Sequence, residues 1–105
     1  MKTATIAAMD SAEVARVFSD LAQRWRRETA AHSVLQKKVL HPAYQRIIGL
    51  GPAVVPCILR ELQRQPGHWF WALNAITGED PARAGSTFEE AAKAWLEWGK
   101  ERGYV

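Results

Sequence analysis

Apolar residues recur every three or four positions along most of this chain, which is the spacing of amphipathic helices. The first predicted helix starts near Asp10 or Ser11 and runs to about His32. Asp10 with Glu13 three residues later has the spacing of a capping box, which marks a helix start. The stripe expected to be buried on this helix consists of Val14, Phe18, Leu21 and Trp25.

Proline and glycine divide the middle of the chain into short predicted helices. Residues 33–39 are weakly periodic and receive no helix, whereas Pro42 predicts the first turn of a second helix over residues 42–48. Pro52 predicts the start of a third helix with an aliphatic inner face, ending after Leu62. Pro56 lies inside that helix, so we expect it either to bend the first turn or to shift the start.

The last third of the chain predicts two further helices. A turn at residues 65–67 precedes the fourth helix, over residues 68–77, and Gly78 is placed to close it. A loop over residues 79–85 leads to a last helix that is capped by Ser86 or Thr87, with Glu89 or Glu90 reaching back, and runs to Gly103. The side chains expected to be buried on these two helices are Trp69, Phe70, Leu73, Ile76, Phe88, Ala92, Trp95 and Trp98 or Gly99.

Since no segment alternates apolar and polar residues with period two, the fold prediction is all-α with about five helices. A chain of 105 residues, 48% of them hydrophobic, predicts a single domain over residues 1–105. Whether residues 1–10 are ordered is left open.

Residues 49–78 resemble a HEAT-type helical repeat of the short, bacterial, lyase-like kind. The resemblance implies a helical hairpin at residues 49–78 and a Trp-rich capping helix at residues 86–103, together about half of the chain. Residues 41–105 are also similar to a group of small bacterial proteins without an established activity, so the resemblance implies a fold but no reaction. It depends on Gly51-Pro52, Val54-Val55-Pro56, Ile58-Leu59, Leu62, Pro66-Gly67, Trp69 to Ile76, Ile76-Thr77-Gly78-Glu79-Asp80, Trp95 and Trp98.

Composition excludes several kinds of site. The single cysteine, Cys57, allows no internal disulfide, and its aliphatic surroundings predict an inert thiol. His32, His41 and His68 lack the spacing of a metal site, so we expect neither a metal ion nor a cofactor. No apolar run approaches the roughly 20 residues that cross a bilayer. We therefore expect a soluble cytoplasmic protein that has no membrane partner.

The positive charge lies mainly in the first half of the chain. Residues 1–50 carry eight Lys or Arg and four acids, whereas residues 51–105 carry six and seven, which together give the net charge of +3. A basic N-terminal half suits nucleic acid or an acidic partner. The alternative function is therefore a nucleic-acid-binding regulator that uses Arg24, Arg26, Arg27, Lys37 and Lys38.

The favoured function is a non-enzymatic module that binds another protein. Trp69 and Trp71 point about 200° apart on one helix, so they cannot both face the same core. We expect Trp69 in the core, whereas Trp71 either packs under the last helix or lies at a surface. Arg60 and Arg64 stand one turn apart and predict two guanidinium groups for acidic partners. The predicted exposed contacts are Trp71, His68, Tyr44, Arg60 and Arg64.

Three alternatives remain beside this prediction. A small regulator or antitoxin-like partner that blocks an enzyme is one form of the same protein-interaction function. Self-association into a homodimer is open, because a short helical array can stack on a copy of itself. An enzyme is the third alternative and the least supported, since the sequence marks no catalytic group with its partner; Glu79 and Asp80 are expected to be solvated.

Overall fold

The structure, a computed structural model, describes residues 9–65 and 67–105 of the chain. Of these residues, 71% are helical and none lies in a strand, which confirms the prediction of an all-α fold with about five helices. The described helices are α1 (Ser11–Thr29), α2 (Leu35–Val39), α3 (Pro42–Gly49), α4 (Val55–Arg64), α5 (Phe70–Thr77) and α6 (Phe88–Glu101), and a 3₁₀ helix covers Gly51–Val54.

The chain divides into two compact units at Val54. The described part of the first unit, residues 9–54, holds α1 to α3 and the 3₁₀ helix, and the second unit, residues 55–105, holds α4 to α6. The single domain stays a prediction. The open question of order in the first ten residues falls mainly on residues 1–8, which lie outside the described residues, as does Pro66 of the predicted turn.

The first unit is built on α1, which packs against α3 and the 3₁₀ helix. As predicted, Asp10 caps α1: its Oδ1 accepts a hydrogen bond of 2.8 Å from the backbone N–H of Glu13. All four residues of the predicted stripe are buried. The helix ends at Thr29, three residues before the predicted end, and the Thr29 hydroxyl there donates to the Trp25 carbonyl at 2.7 Å.

Helix α2 was not predicted, and contacts with other helices account for it. The Trp25 indole N–H donates to the carbonyl of Lys38 at 2.8 Å, and the Gln45 side-chain amide donates to the carbonyl of Val39 at 2.7 Å. Both carbonyls lie at the end of α2, where the helical ladder stops, and the Lys38 carbonyl also accepts a hydrogen bond of 3.2 Å from the backbone N–H of His41. The two side-chain donors belong to α1 and α3, so α2 is stabilised by contacts with other helices. The periodicity of residues 33–39 does not reveal such contacts.

Helices α3 and α4 begin at prolines. Pro42 occupies the first turn of α3, and the helix ends within one residue of the predicted position. The predicted third helix is divided: Gly51–Val54 forms a 3₁₀ helix, and α4 proper starts at Val55. Pro56 therefore lies in the first turn of α4, where its missing N–H is tolerated. Of the two effects expected from Pro56, the shifted start is the one observed.

In the second unit, α4 packs against both α5 and α6. Gly78 ends α5 as predicted: it has the left-handed φ of 72° that favours glycine, and its N–H donates to the carbonyl of Asn74. α6 begins with a complete capping box between Thr87 and Glu90. Within the described residues, no helix combines the length and the apolar character needed to cross a membrane.

The buried stripe of α6 differs from the prediction at its first turns. Trp95, Trp98 and Gly99 are buried as predicted, but Ala91 is buried rather than Ala92, which is half-buried. The prediction for Phe88 was wrong, since this residue is 38% exposed. The Trp98 ring packs between an edge-on Trp95 ring, with centroids 5.1 Å apart, and the stacked ring of Tyr104 at 5.4 Å.

Candidate protein-interaction surface

Helix α5 directs two neighbouring tryptophans in different directions. Trp69, at the N-terminal end of α5, is fully buried, whereas Trp71 is 58% exposed. The angle between their positions on the helix requires such a separation. Trp69 is thus the core member, as predicted. Of the two places left open for Trp71, the surface is the one that the structure shows.

The exposed residues of α5 itself carry no charge. The helix sequence FWALNAIT contains no Asp, Glu, Lys or Arg. Ala72 and Leu73 face inward and are buried, whereas Trp71, Asn74 and Ala75 are exposed. A helix face turned only to water normally carries charged residues. This one presents an indole, a side-chain amide and a methyl group instead.

Two phenylalanines extend the apolar area from α5 to α6. The rings of Phe70 and Phe88 lie 5.0 Å apart between centroids and are tilted by 43°, an arrangement typical of favourable aromatic pairs. Phe70 is half-buried and Phe88 is exposed. We call Phe70, Trp71 and Phe88 the aromatic surface. Phe88 was expected in the buried stripe of the last helix, and the only signal against this was its place at the first position of that helix.

Tyr44 does not belong to any exposed contact surface, and its prediction was wrong. It is fully buried in the first unit, where its ring lies 5.1 Å from the ring of Trp25. Ala43 and Ile47 on the same helix are also fully buried. Helix α3 packs against α1, and the rings of Tyr44 and Trp25 meet between the two helices. Tyr44 is thus enclosed there together with Ala43 and Ile47.

Arg60 and Arg64 are exposed on α4, but each contacts a neighbour within the chain. Arg64 Nη2 lies 2.7 Å from a carboxylate oxygen of Glu61, a residue that is only 6% exposed. Arg60 Nη2 contacts Cys57 Sγ at 3.7 Å. The one-turn spacing predicted two guanidinium groups for acidic partners. Both are exposed, but the charge of Arg64 is already paired with that of Glu61.

The contact with Arg60 gives the Cys57 thiol a basic neighbour, in addition to the aliphatic surroundings that the sequence predicts. Burial raises the pKa of the Cys57 thiol, and the nearby Arg60 charge opposes this rise without cancelling it. A raised pKa keeps the thiol protonated at neutral pH, and the thiolate is the nucleophilic form. Cys57 is accordingly a buried, unreactive side chain in this structure.

His68 is exposed in the bend before α5, one residue from the buried Trp69. It thus lies on the chain segment that leads into the aromatic surface. The predicted role of His68 as a contact residue requires such an exposed position. The structure therefore keeps Trp71, His68, Arg60 and Arg64 at exposed positions of the second unit and removes Tyr44.

The basic residues of the alternative function lie in the last two turns of α1 and within α2. The hydrogen bond from Trp25 to the Lys38 carbonyl joins the end of α1 to the end of α2. Arg27 and Lys37 are exposed, Arg26 and Lys38 are half-buried, and Arg24 pairs with Glu28 at 3.2 Å. Glu28 thus compensates one of the five predicted charges.

Glu28 also joins α1 to the start of α3 through His41. The His41 Nδ1 accepts a hydrogen bond of 3.0 Å from the N–H of Ala43 and so caps α3. The His41 Nε2 must then carry the proton that it shares with Glu28 Oε1 at 2.8 Å. This hydrogen bond is the main reason why the pKa of Glu28 is lowered, and the charge of Arg24 adds to the effect.

The lowered pKa gives Glu28 a pH-dependent effect on stability. Because the pKa is lower in the folded than in the unfolded chain, the contribution is complete above the unfolded value of about 4.3 and is lost as the pH falls through the folded value. We expect the native protein to exceed Glu28→Gln in free energy of unfolding by more at about pH 5 than at about pH 3. Urea unfolding at both pH values measures this gap, and a gap independent of pH would contradict the assignment.

Among the described residues, no group of three or more His, Cys, Asp and Glu side chains gathers closely enough to hold a metal ion.

Comparison with known proteins found no family model, no curated protein and no solved structure that matches this chain. The HEAT-like repeat therefore stays a prediction.

Proposed function

We propose that this chain is a non-enzymatic module that binds another protein through the aromatic surface of its second unit. The observation that carries the proposal is the 58% exposure of Trp71 on a helix face without charge. The exposed parts of Phe70 and Phe88 provide further apolar area beside it.

The energetics of association favour such a surface. Tryptophan is enriched among the residues that dominate binding energy, since its large, rigid side chain buries much apolar area with little loss of conformational freedom. The frame beneath Trp71 is well packed: Trp69 and Leu73 are fully buried, and α5 packs against α4. The binding surface is thus held in place before a partner arrives, which lowers the entropic cost of association.

In this proposal, the exposed His68, Arg60 and Arg64 of the second unit are the polar surroundings of the aromatic surface. Polar and charged side chains at the rim of an interface contribute less to affinity than a central aromatic residue does. We assign them to orientation of the partner, with Trp71 as the anchor. The pairing of Arg64 with Glu61 supports this limited role, because a compensated guanidinium attracts an acidic group less strongly.

The proposal includes the expected biological setting. In it, α4 and α5 are the two helices of a HEAT-like hairpin, and the chain is a small cytoplasmic regulator or antitoxin-like partner of a bacterial protein. Formation of a homodimer through the aromatic surface is the special case in which the partner is a second copy.

The alternative proposal is a regulator that binds nucleic acid through Arg24, Arg26, Arg27, Lys37 and Lys38. The observation in its favour is the hydrogen bond that joins the end of α1, which carries Arg26 and Arg27, to the end of α2, which carries Lys37 and Lys38. This proposal requires affinity that falls steeply as the salt concentration rises.

Affinity capture from extract of the native cells, carried out with and without nuclease treatment, distinguishes these proposals. Tagged wild-type protein is compared with Trp71→Ala and with Gln63→Ala, a matched change of another exposed residue in the second unit. We expect one stoichiometric protein partner that the wild type and Gln63→Ala retain and Trp71→Ala loses. Equal recovery with all three proteins would contradict the proposed surface, and recovery of nuclease-sensitive material alone would favour the alternative.

A further inference from the structure

A second exposed apolar segment lies in the first unit, around α2. Residues 30–37 are all exposed, an uninterrupted run of eight positions, and Leu40 follows after the buried Val39. Val34 is 50% exposed, Leu35 46% and Leu40 61%. A five-residue helix rises only about 7.5 Å, so these three exposed aliphatic residues lie on or beside one short stretch of backbone.

The charge of this region has one sign. No Asp or Glu occurs between Glu28 and Glu61, and Glu28 itself is engaged with Arg24 and His41. The exposed Lys37 and the half-buried Lys38 lie within α2, and the exposed Arg27 lies in the last turn of α1. We call residues 30–40 together with Arg27 the basic aliphatic segment.

The segment is exposed although it is held in place. α2 is fixed to the rest of the first unit by the hydrogen bonds that Trp25 and Gln45 donate to its last carbonyls, and Val39 is buried. Val34 precedes the helix with an extended backbone, and on a helical projection Lys37 falls on the side opposite Val39. The exposed aliphatic side chains and Lys37 thus project from a fixed backbone.

From these observations we infer that the basic aliphatic segment docks on the surface of an anionic lipid bilayer. Aliphatic side chains gain free energy by entering the boundary between headgroups and acyl chains, while lysines near them attract anionic headgroups. A nucleic acid would engage the lysines but provide no apolar medium for Val34, Leu35 and Leu40. The eight consecutive exposed residues also form a projecting segment. Such a segment suits a deformable bilayer better than the fixed surface of a protein partner.

The inference goes beyond the proposed function and uses a different unit of the chain. It revises the expectation that the chain has no membrane partner, which considered only helices that span a bilayer. Docking at a surface needs no such helix, because a few apolar side chains and basic charges together hold a protein at the interface.

Vesicle co-sedimentation with the full chain tests the inference. The probes are vesicles of phosphatidylglycerol and phosphatidylcholine in equal parts, and vesicles of phosphatidylcholine alone. We expect binding to the anionic vesicles only, weakened by salt. Leu35→Ser with Leu40→Ser should reduce binding at least tenfold, and Lys37→Gln with Lys38→Gln roughly tenfold or more. The control Trp71→Ala should bind as the wild type does, whereas it loses the protein partner, so that failure of one proposal is separate from failure of the other.

Four results would overturn the inference. The first is an absence of binding to anionic vesicles. The second is equal binding to neutral vesicles, which would show that the lysines do not contribute to binding. Full binding by the double leucine variant, with loss in the double lysine variant, indicates a purely electrostatic contact of the kind that nucleic acid makes. Loss of vesicle binding in Trp71→Ala places the contact in the other unit. Circular dichroism of each variant confirms that these surface substitutions leave the helices intact.

Discussion

Trp69→Ala should lower the free energy of unfolding by about 3–5 kcal/mol, because it removes a fully buried indole and leaves a cavity at the start of α5. The carbonyl of Trp69 also accepts the first helical hydrogen bond of α5, from Leu73 at 3.0 Å. A protein of this size has a total stability of about 5–15 kcal/mol, so the loss removes a large share of it. Chemical unfolding followed by circular dichroism measures the change.

Trp71→Ala is the matched control for that experiment, since it removes the same side chain two residues away from a site that is 58% exposed. Its effect on the free energy of unfolding should stay within about 0.5 kcal/mol, as is usual for surface positions. Equal destabilisation by the two substitutions would contradict the assignment of one tryptophan to the core and the other to the surface.

Gly99→Ala is expected to destabilise the second unit although alanine favours helices over glycine. A Cβ atom at Gly99 would lie 2.6 Å from Cδ1 of Leu59 and 3.3 Å from a methyl carbon of Val105. Leu59 is fully buried on α4, so it cannot move aside into solvent. Overpacking of about 1–3 kcal/mol outweighs the gain in helix propensity of about 0.5–1 kcal/mol. The net loss should be on the order of 1 kcal/mol, with a larger loss for Gly99→Val.

Gly49→Ala provides the control for the close approach at Gly99. A Cβ atom at Gly49, the last residue of α3, would meet no atom within 4 Å. The helix propensity of alanine then acts alone, and the substitution should be neutral or slightly stabilising. Thermal unfolding of the two variants compares them, and a stabilised Gly99→Ala protein would contradict the tight packing of α4 on α6.

The sequence predicted those helices whose stability depends on local signals. Asp10, Pro42, Gly78 and Thr87 mark helix ends through caps or backbone geometry, and each lies at the expected helix terminus in the structure. α2 was missed because its last carbonyls are bonded by side chains from α1 and α3, and no pattern within five residues encodes such contacts.

The candidate site was predicted only in part, for a similar reason. Helical geometry separates Trp69 from Trp71, and this was evident from the sequence. Tyr44 and Phe88 were assigned to the wrong environments, because the ring of each is placed by a partner on another helix: Trp25 for Tyr44, and Phe70 for Phe88. Periodicity along one helix indicates which side of it is apolar but does not reveal how much of that side a neighbouring helix covers.

Binding of a protein partner to the aromatic surface of the second unit can be measured by titrating the captured partner against purified wild-type protein, Trp71→Ala and Gln63→Ala. We expect Trp71→Ala to raise the Kd roughly 30-fold, as loss of an anchor residue does, and Gln63→Ala to leave it unchanged. Equal Kd values for all three proteins would show that Trp71 is not part of the binding surface.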